Sequence, residues 1–208
     1  MTYPAFYDAA PRIVLYDPLA ELLGAAAGGR IEYRYVDAVK LAGHSCPTVA
    51  GAYLMTRKAL ARLYPDDLPL RGGIRVEFGA TQADGVTGVI AAVAGLLTGA
   101  AGDGGFKGIG GRFSRRNLLA FGLGGDTSLR FTRLDSGARV EVAYHPEIVP
   151  VPAGLQTLLP GVLAGSASAA ERADFARIWQ ARVERILIEH GDDPALVTCG
   201  DDASPAAP

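Results

Sequence analysis

The chain has 208 residues, 49% of them hydrophobic, and a formal net charge of −2 at pH 7. That length and apolar content provide for one substantial core, read as a single domain over residues 1–191 with a loose tail over 192–208. The near-neutral balance, without any run of Lys or Arg, excludes the electrostatic footprint of a nucleic-acid binder.

The first residues, Met1 to Asp8, carry neither the basic start nor the apolar run of a secretory signal, and the two cysteines, Cys46 and Cys199, lie far apart. Both features predict a cytoplasmic protein. Asp17 and Pro18 supply an N-cap and a first-turn proline for a helix over Leu19 to Ala27, which Gly28 and Gly29 end. The alternation from Ile31 to Tyr35 predicts a strand with one apolar face, and Asp37 is placed to cap a short helix running into Gly43.

The tetrad Gly43-His44-Ser45-Cys46, followed at once by Pro47, is the richest chemical feature of the sequence. Pro47 suits the first position of a helix, where its fixed φ and missing N–H cost nothing, and the residues from Thr48 to Leu63 then read as helix. Cys46 falls at the N-cap. Unpaired N–H groups and the positive end of the helix dipole favour a thiolate there, which makes Cys46 a metal ligand or nucleophile, with His44 two residues earlier in reach of the same point.

The stretch from Gly43 to Tyr53 resembles the Gly-His-x-Cys-Pro-Gly-x-Ala-x-Gly-Tyr signature of the FmdE family, named for a component of formylmethanofuran dehydrogenase. Weaker similarity continues through Thr98-Gly99 and Arg116-Asn117-Leu118, so that it covers residues 36 to 122. The resemblance implies an α+β core, often dimeric, with a metal site near the His and Cys. A family His falls here on Ala42 and a family Cys on Ala100, and the lone Cys199 provides no C-terminal zinc finger.

Further along, Asp66 to Pro69 is a turn, and Gly73 to Phe78 a second alternating strand. Val86 to Thr98 reads as a buried apolar helix, since the apolar run to Ala101 falls short of the ~20 residues that span a bilayer. The glycine-rich loop from Gly99 to Gly111 follows a helix where a dinucleotide fingerprint follows a strand, and Lys107 lacks the Gly-Lys-Ser/Thr order of a phosphate loop. It is read as a flap over a ligand site or a plain connection. Leu118 to Phe121, Ser128 to Arg133 and Ala138 to Tyr144 are successive strands, with Asp135-Ser136-Gly137 as a hairpin turn. Prolines 146, 150, 152 and 160 break the pattern. Ser168 and Glu171 then form a capping box for a last helix, whose stripe of Phe175, Ile178, Trp179, Val183, Ile186 and Leu187 belongs to the core or to a dimer contact. Gly191 stops that helix.

These elements predict an α+β fold, an antiparallel sheet packed on the helices from Pro47 and Val86, in a homodimer. The tetrad is read first as the site of a metal-binding accessory protein, zinc being the simplest ion, with a haem-binding protein and then a Cys-dependent enzyme as alternatives. A metal-binding accessory protein would hold zinc or another transition metal through His44 and Cys46, with Asp84, or less well Gln82, as an oxygen donor. A haem-binding protein would use Cys46 as thiolate axial ligand, Tyr53, Leu54 and the apolar helix as walls, and Arg112, Arg115 or Arg116 against the propionates. A Cys-dependent enzyme would use His44 as base. His145 reads as a strand-end residue and His190 as a partner of a helix C-terminus.

Overall fold

The computed structural model describes residues 2–124 and 129–201. The chain opens with a short helix α1 (Phe6–Ala9), strand β1 (Ile13–Tyr16) and helix α2 (Pro18–Leu22), then β2 (Arg30–Tyr33), α3 (Tyr35–Ala42) and the long α4 (Pro47–Leu63). Strand β3 (Ile74–Phe78), helix α5 (Thr87–Thr98), and strands β4 (Leu119–Ala120), β5 (Leu129–Arg133) and β6 (Arg139–Tyr144) follow. Helices α6 (Ala153–Leu163) and α7 (Ala169–Glu184) and strand β7 (Val197–Asp201) complete it.

The main sheet has the order β4-β3-β5-β6-β7 and is antiparallel except where β4 runs parallel to β3. Period-two alternation gives it one apolar face. Along β3, Ile74, Val76 and Phe78 are buried while Arg75 is exposed, and Phe131, Val140 and Val142 continue the same face on β5 and β6. Arg130 and Glu141 pair across β5 and β6 on the opposite face, at 2.7 Å. Helices α4 and α5 cover the apolar face, supplying among others Val49, Leu54, Leu60, Val93 and Leu97. The fold is therefore α+β, as the hairpin signals and the two apolar helices predict. Among the described residues no helix is long and apolar enough to cross a membrane.

Several boundaries differ from the sequence reading. Helix α2 stops at Leu22 instead of Ala27, because Leu22 and Leu23 point into solvent and Gly24 turns the chain with φ +65°. Tyr35 does not extend β2 but opens α3, where Asp37 accepts the Arg34 N–H at 2.9 Å. Ser128, expected in β5, lies outside the described residues.

Two further elements have no forerunner in the sequence pattern. The prolines do not keep the 146–160 region irregular: Pro152 sits at the N-cap of α6, and that helix accommodates Pro160 in its interior. The tail is not loose from residue 192 onward. Asp192 pairs with Arg57 at 2.6 Å, Leu196 and Val197 are buried, and β7 adds to the sheet beside β6. Residues 202–208 of the expected tail lie outside the described residues. The Ser168–Glu171 capping box is present, with Glu171 accepting the Ser168 N–H at 2.7 Å, and Val183 of α7 is buried in the core together with Ile186 and Leu187 of the π-helical turn Arg185–Glu189 that continues it.

Candidate functional site

Gly43 ends α3 in the left-handed region, φ +74°, and the chain crosses through His44 and Ser45 to start α4 at Pro47. Cys46 is the N-cap of α4, as the Cys-Pro pair predicts. Its backbone is extended, φ −149° and ψ 168°, and its Sγ accepts the Val49 N–H at 3.5 Å. The sulfur thus caps the first turn of a long helix, on the side where its N–H groups are exposed.

The crossing is braced from behind. Ser45 Oγ hydrogen-bonds Tyr35 Oη at 2.9 Å, and the Ser45 carbonyl accepts from Trp179 Nε1 at 2.9 Å and Gln180 Nε2 at 3.3 Å. Helix α7 therefore holds the loop that carries His44 and Cys46. His44 is exposed, and its Nδ1 lies 2.9 Å from the Ala42 carbonyl. A carbonyl only accepts, so Nδ1 carries the proton, and in the neutral ring Nε2 is left with its lone pair free.

His44 and Cys46 stand on the wall of a cavity of about 810 Å³. Helix α4 contributes Pro47 and Thr48 from its start and Met55 from its middle, the end of β3 Phe78, and the start of α5 Val86, Thr87 and Ile90. Leu129, Val142 and Tyr144 come from β5 and β6, Pro146 from the turn beyond, and Trp179 and Arg182 from α7. The size and the apolar lining with a few polar groups are those of a small-molecule site.

Tyr144 packs its ring on Gly51 of α4, and its hydroxyl is buried without a hydrogen-bond partner. Burial pushes the Tyr144 phenol well above its ordinary range, with Arg182 acting in the opposite direction. Arg182 donates from Nε to the Val149 carbonyl at 3.0 Å and from Nη2 to the Pro146 carbonyl at 3.1 Å.

The other expected site residues lie away from this cavity. Tyr53 is fully buried, its hydroxyl donating to the Pro11 and Tyr33 carbonyls at 2.7 and 3.1 Å, so it is a core residue that ties α4 to the β1–β2 ribbon. Asp84 is exposed and closes a turn before α5 by accepting the Thr81 N–H at 2.9 Å, while Val86 is the N-cap of that helix. Arg115 is 7% exposed and bonded to Asp17 at 2.7 Å, with Arg71 on the other Asp17 oxygen at 3.0 Å. Burial alone would raise the Asp17 carboxyl, yet Arg71 and Arg115 hold it below its ordinary value. Arg112 is exposed over the Phe113 ring, and Arg116 is exposed with its Nε on the Asp103 carbonyl. The glycine-rich loop contributes no cavity-lining residue among those described.

His145 bonds Thr198 and Glu147, and His190 bonds Asp193 at 2.9 Å. Cys199 is on β7 opposite Val142. Among the described residues no three or more His, Cys, Asp or Glu side chains come together as a metal cluster. Sequence reasoning misses Tyr144, Trp179 and Arg182 as site residues. Trp179 reads only as part of an apolar stripe, and the one available signal is that Arg182 follows it by three positions, on the same face of α7.

No protein-family model matches the chain, and no curated protein matches it either.

Proposed function

We propose that the chain binds a metal-bearing organic cofactor of the haem type in the cavity, with the Cys46 thiolate as the protein's ligand to the metal. The observation that carries this reading is the position of Cys46: its sulfur is at the start of a long helix and on the wall of an apolar cavity of about 810 Å³. A closed zinc site takes four protein donors and a catalytic one three. Beside Cys46 and His44 the described residues supply no such set, whereas a macrocycle brings its own nitrogen donors and needs one or two from the protein. Bound there, such a cofactor would supply redox or gas-ligand chemistry tuned by the N–H groups around the sulfur.

A second reading is a zinc or other transition-metal ion held by Cys46 and His44, completed by solvent or by a second copy of the chain. The bond from His44 Nδ1 to the Ala42 carbonyl favours it, because it leaves Nε2 free as a donor, in the manner of metal-ligating histidines. It is also the reading in keeping with the resemblance to the FmdE family. A homodimer belongs to both readings, supported by a mostly apolar recess of about 210 Å³ between the end of α3, His44 and helix α5, where Leu41 is 48% exposed.

Haemin reconstitution followed by a visible spectrum and elemental analysis tests the choice. A strong Soret band that Cys46→Ala shifts or abolishes and Cys199→Ala leaves alone is the expected result. Stoichiometric zinc without haem uptake would replace the first reading by the second, and a protein that takes up neither would refute both.

A further inference from the structure

The described residues that line the cavity include one side chain of fixed charge, the guanidinium of Arg182, and no Asp or Glu. Glu147, on the neighbouring turn, pairs with His145 at 3.3 Å and is 70% exposed at its side chain. The two bonds of Arg182 go to the neutral carbonyls of Val149 and Pro146, which fix the guanidinium plane and leave its charge unmatched. Nη1 takes part in neither bond. Two helix N-termini face the same space, that of α4 at Cys46 to Thr48 and that of α5 at Val86 and Thr87, each adding partial positive charge. The remaining wall is apolar, built largely by Met55, Phe78, Ile90, Leu129 and Val142.

A positive charge held against apolar walls is unfavourable until an anion joins it, and a ligand that carries the anion is stabilised by that pairing. We propose that the cavity binds an amphiphilic organic acid, its carboxylate on Arg182 and its apolar body against Met55, Phe78 and Ile90. A single guanidinium among apolar side chains suits a singly charged carboxylate, where a doubly charged phosphate would require further donors. The proposal rests on the cavity being the binding site, as the reading above does, and not on a metal at Cys46.

Isothermal titration of the full chain with decanoate and with decanol, which share the apolar body and differ in the head group, tests it. Decanoate is expected to bind about ten- to a hundredfold more tightly than decanol, the range of a charge-assisted hydrogen bond. Arg182→Gln should erase that preference while leaving decanol binding in place, and Arg182→Lys should keep part of it. Because Arg182 also holds the 146–149 turn, decanol binding by the Gln variant reports whether the cavity has survived. If it has not, the Lys variant decides, since a cavity that keeps decanol but loses all preference with a positive charge present overturns the assignment. Equal affinities in the wild type, no decanoate binding, or a preference that survives Arg182→Gln would overturn it as well. The two readings fail separately: a chain that binds neither decanoate nor decanol has no binding cavity here, whereas decanol binding without a preference for decanoate overturns the carboxylate assignment alone and leaves haem or metal uptake to be decided by its own measurement.

Discussion

The Tyr144 ring rests directly on Gly51, so closely that a Cβ at position 51 would lie 2.5 Å from its Cε1 atom. Glycine in the second turn of a long helix lowers intrinsic helix stability by about 1 kcal/mol relative to alanine. Here the missing side chain lets strand β6 approach α4 and sets Tyr144 into the cavity wall. Gly51→Ala should therefore destabilise the protein by about 1 kcal/mol net, with an overpacking cost of roughly 1–3 kcal/mol exceeding the gain in helix propensity. It should also displace Tyr144 and weaken ligand binding in the cavity. Urea unfolding of the two proteins checks it, and a stabilised variant would show that the ring yields without strain.

The parts of the fold that are legible in the sequence are those fixed by short-range chemistry. Cys46-Pro47 starts α4, Ser168 and Glu171 start α7, and the alternation of Ile74, Val76 and Phe78 gives β3 its buried face. The misreadings fall where distant packing decides. Tyr35 continues an alternating pattern, but burial of its ring against Tyr7 and Tyr53 sets it as the first residue of α3. Thr198, Cys199 and Gly200 carry no strand pattern of their own, and β7 exists because β6 offers an open edge and Leu196 and Val197 reach the core. The site divides in the same way. Cys46 is visible because a cap is local, whereas Tyr144 and Arg182 reach the cavity through the sheet and α7. Arg115 carries no mark of its burial, since its partner Asp17 lies far away along the chain.

Gly43 sets the direction in which His44 and Cys46 leave α3. Its φ of +74° lies in the left-handed region, and nothing stands within 4 Å of where a Cβ would be, so the effect of a substitution there is conformational and not a clash. Gly43→Ala should lower stability by about 1 kcal/mol, and Gly43→Asn by less, because asparagine enters that region more readily. The two variants should fall in the same order for retention of metal or haem. Thermal unfolding measured beside occupancy provides the comparison, and equal losses for Ala and Asn would mean that the left-handed conformation is not what the position demands.

Asp17 joins three parts of the molecule: it caps α2 through the Leu19 and Ala20 N–H groups and accepts from both Arg71 and Arg115. Asp17→Ala leaves the buried Arg115 guanidinium without a counter-charge, a change that costs about 3–5 kcal/mol. The pH dependence follows from the direction of its shift. The Asp17 carboxyl is held below its ordinary value in the folded chain, so in acid the unfolded chain takes up the proton first. Its contribution is therefore complete above the ordinary carboxylate range and is lost as pH falls through the lower, folded value. Stability of the wild type should drop on acidification, and the part of that drop due to Asp17 should be missing from Asp17→Asn, which is already neutral. Urea midpoints of the two proteins from neutral pH down into the acid range, compared as differences, make the measurement. A difference that stays constant across the whole range would show that Asp17 does not titrate with folding.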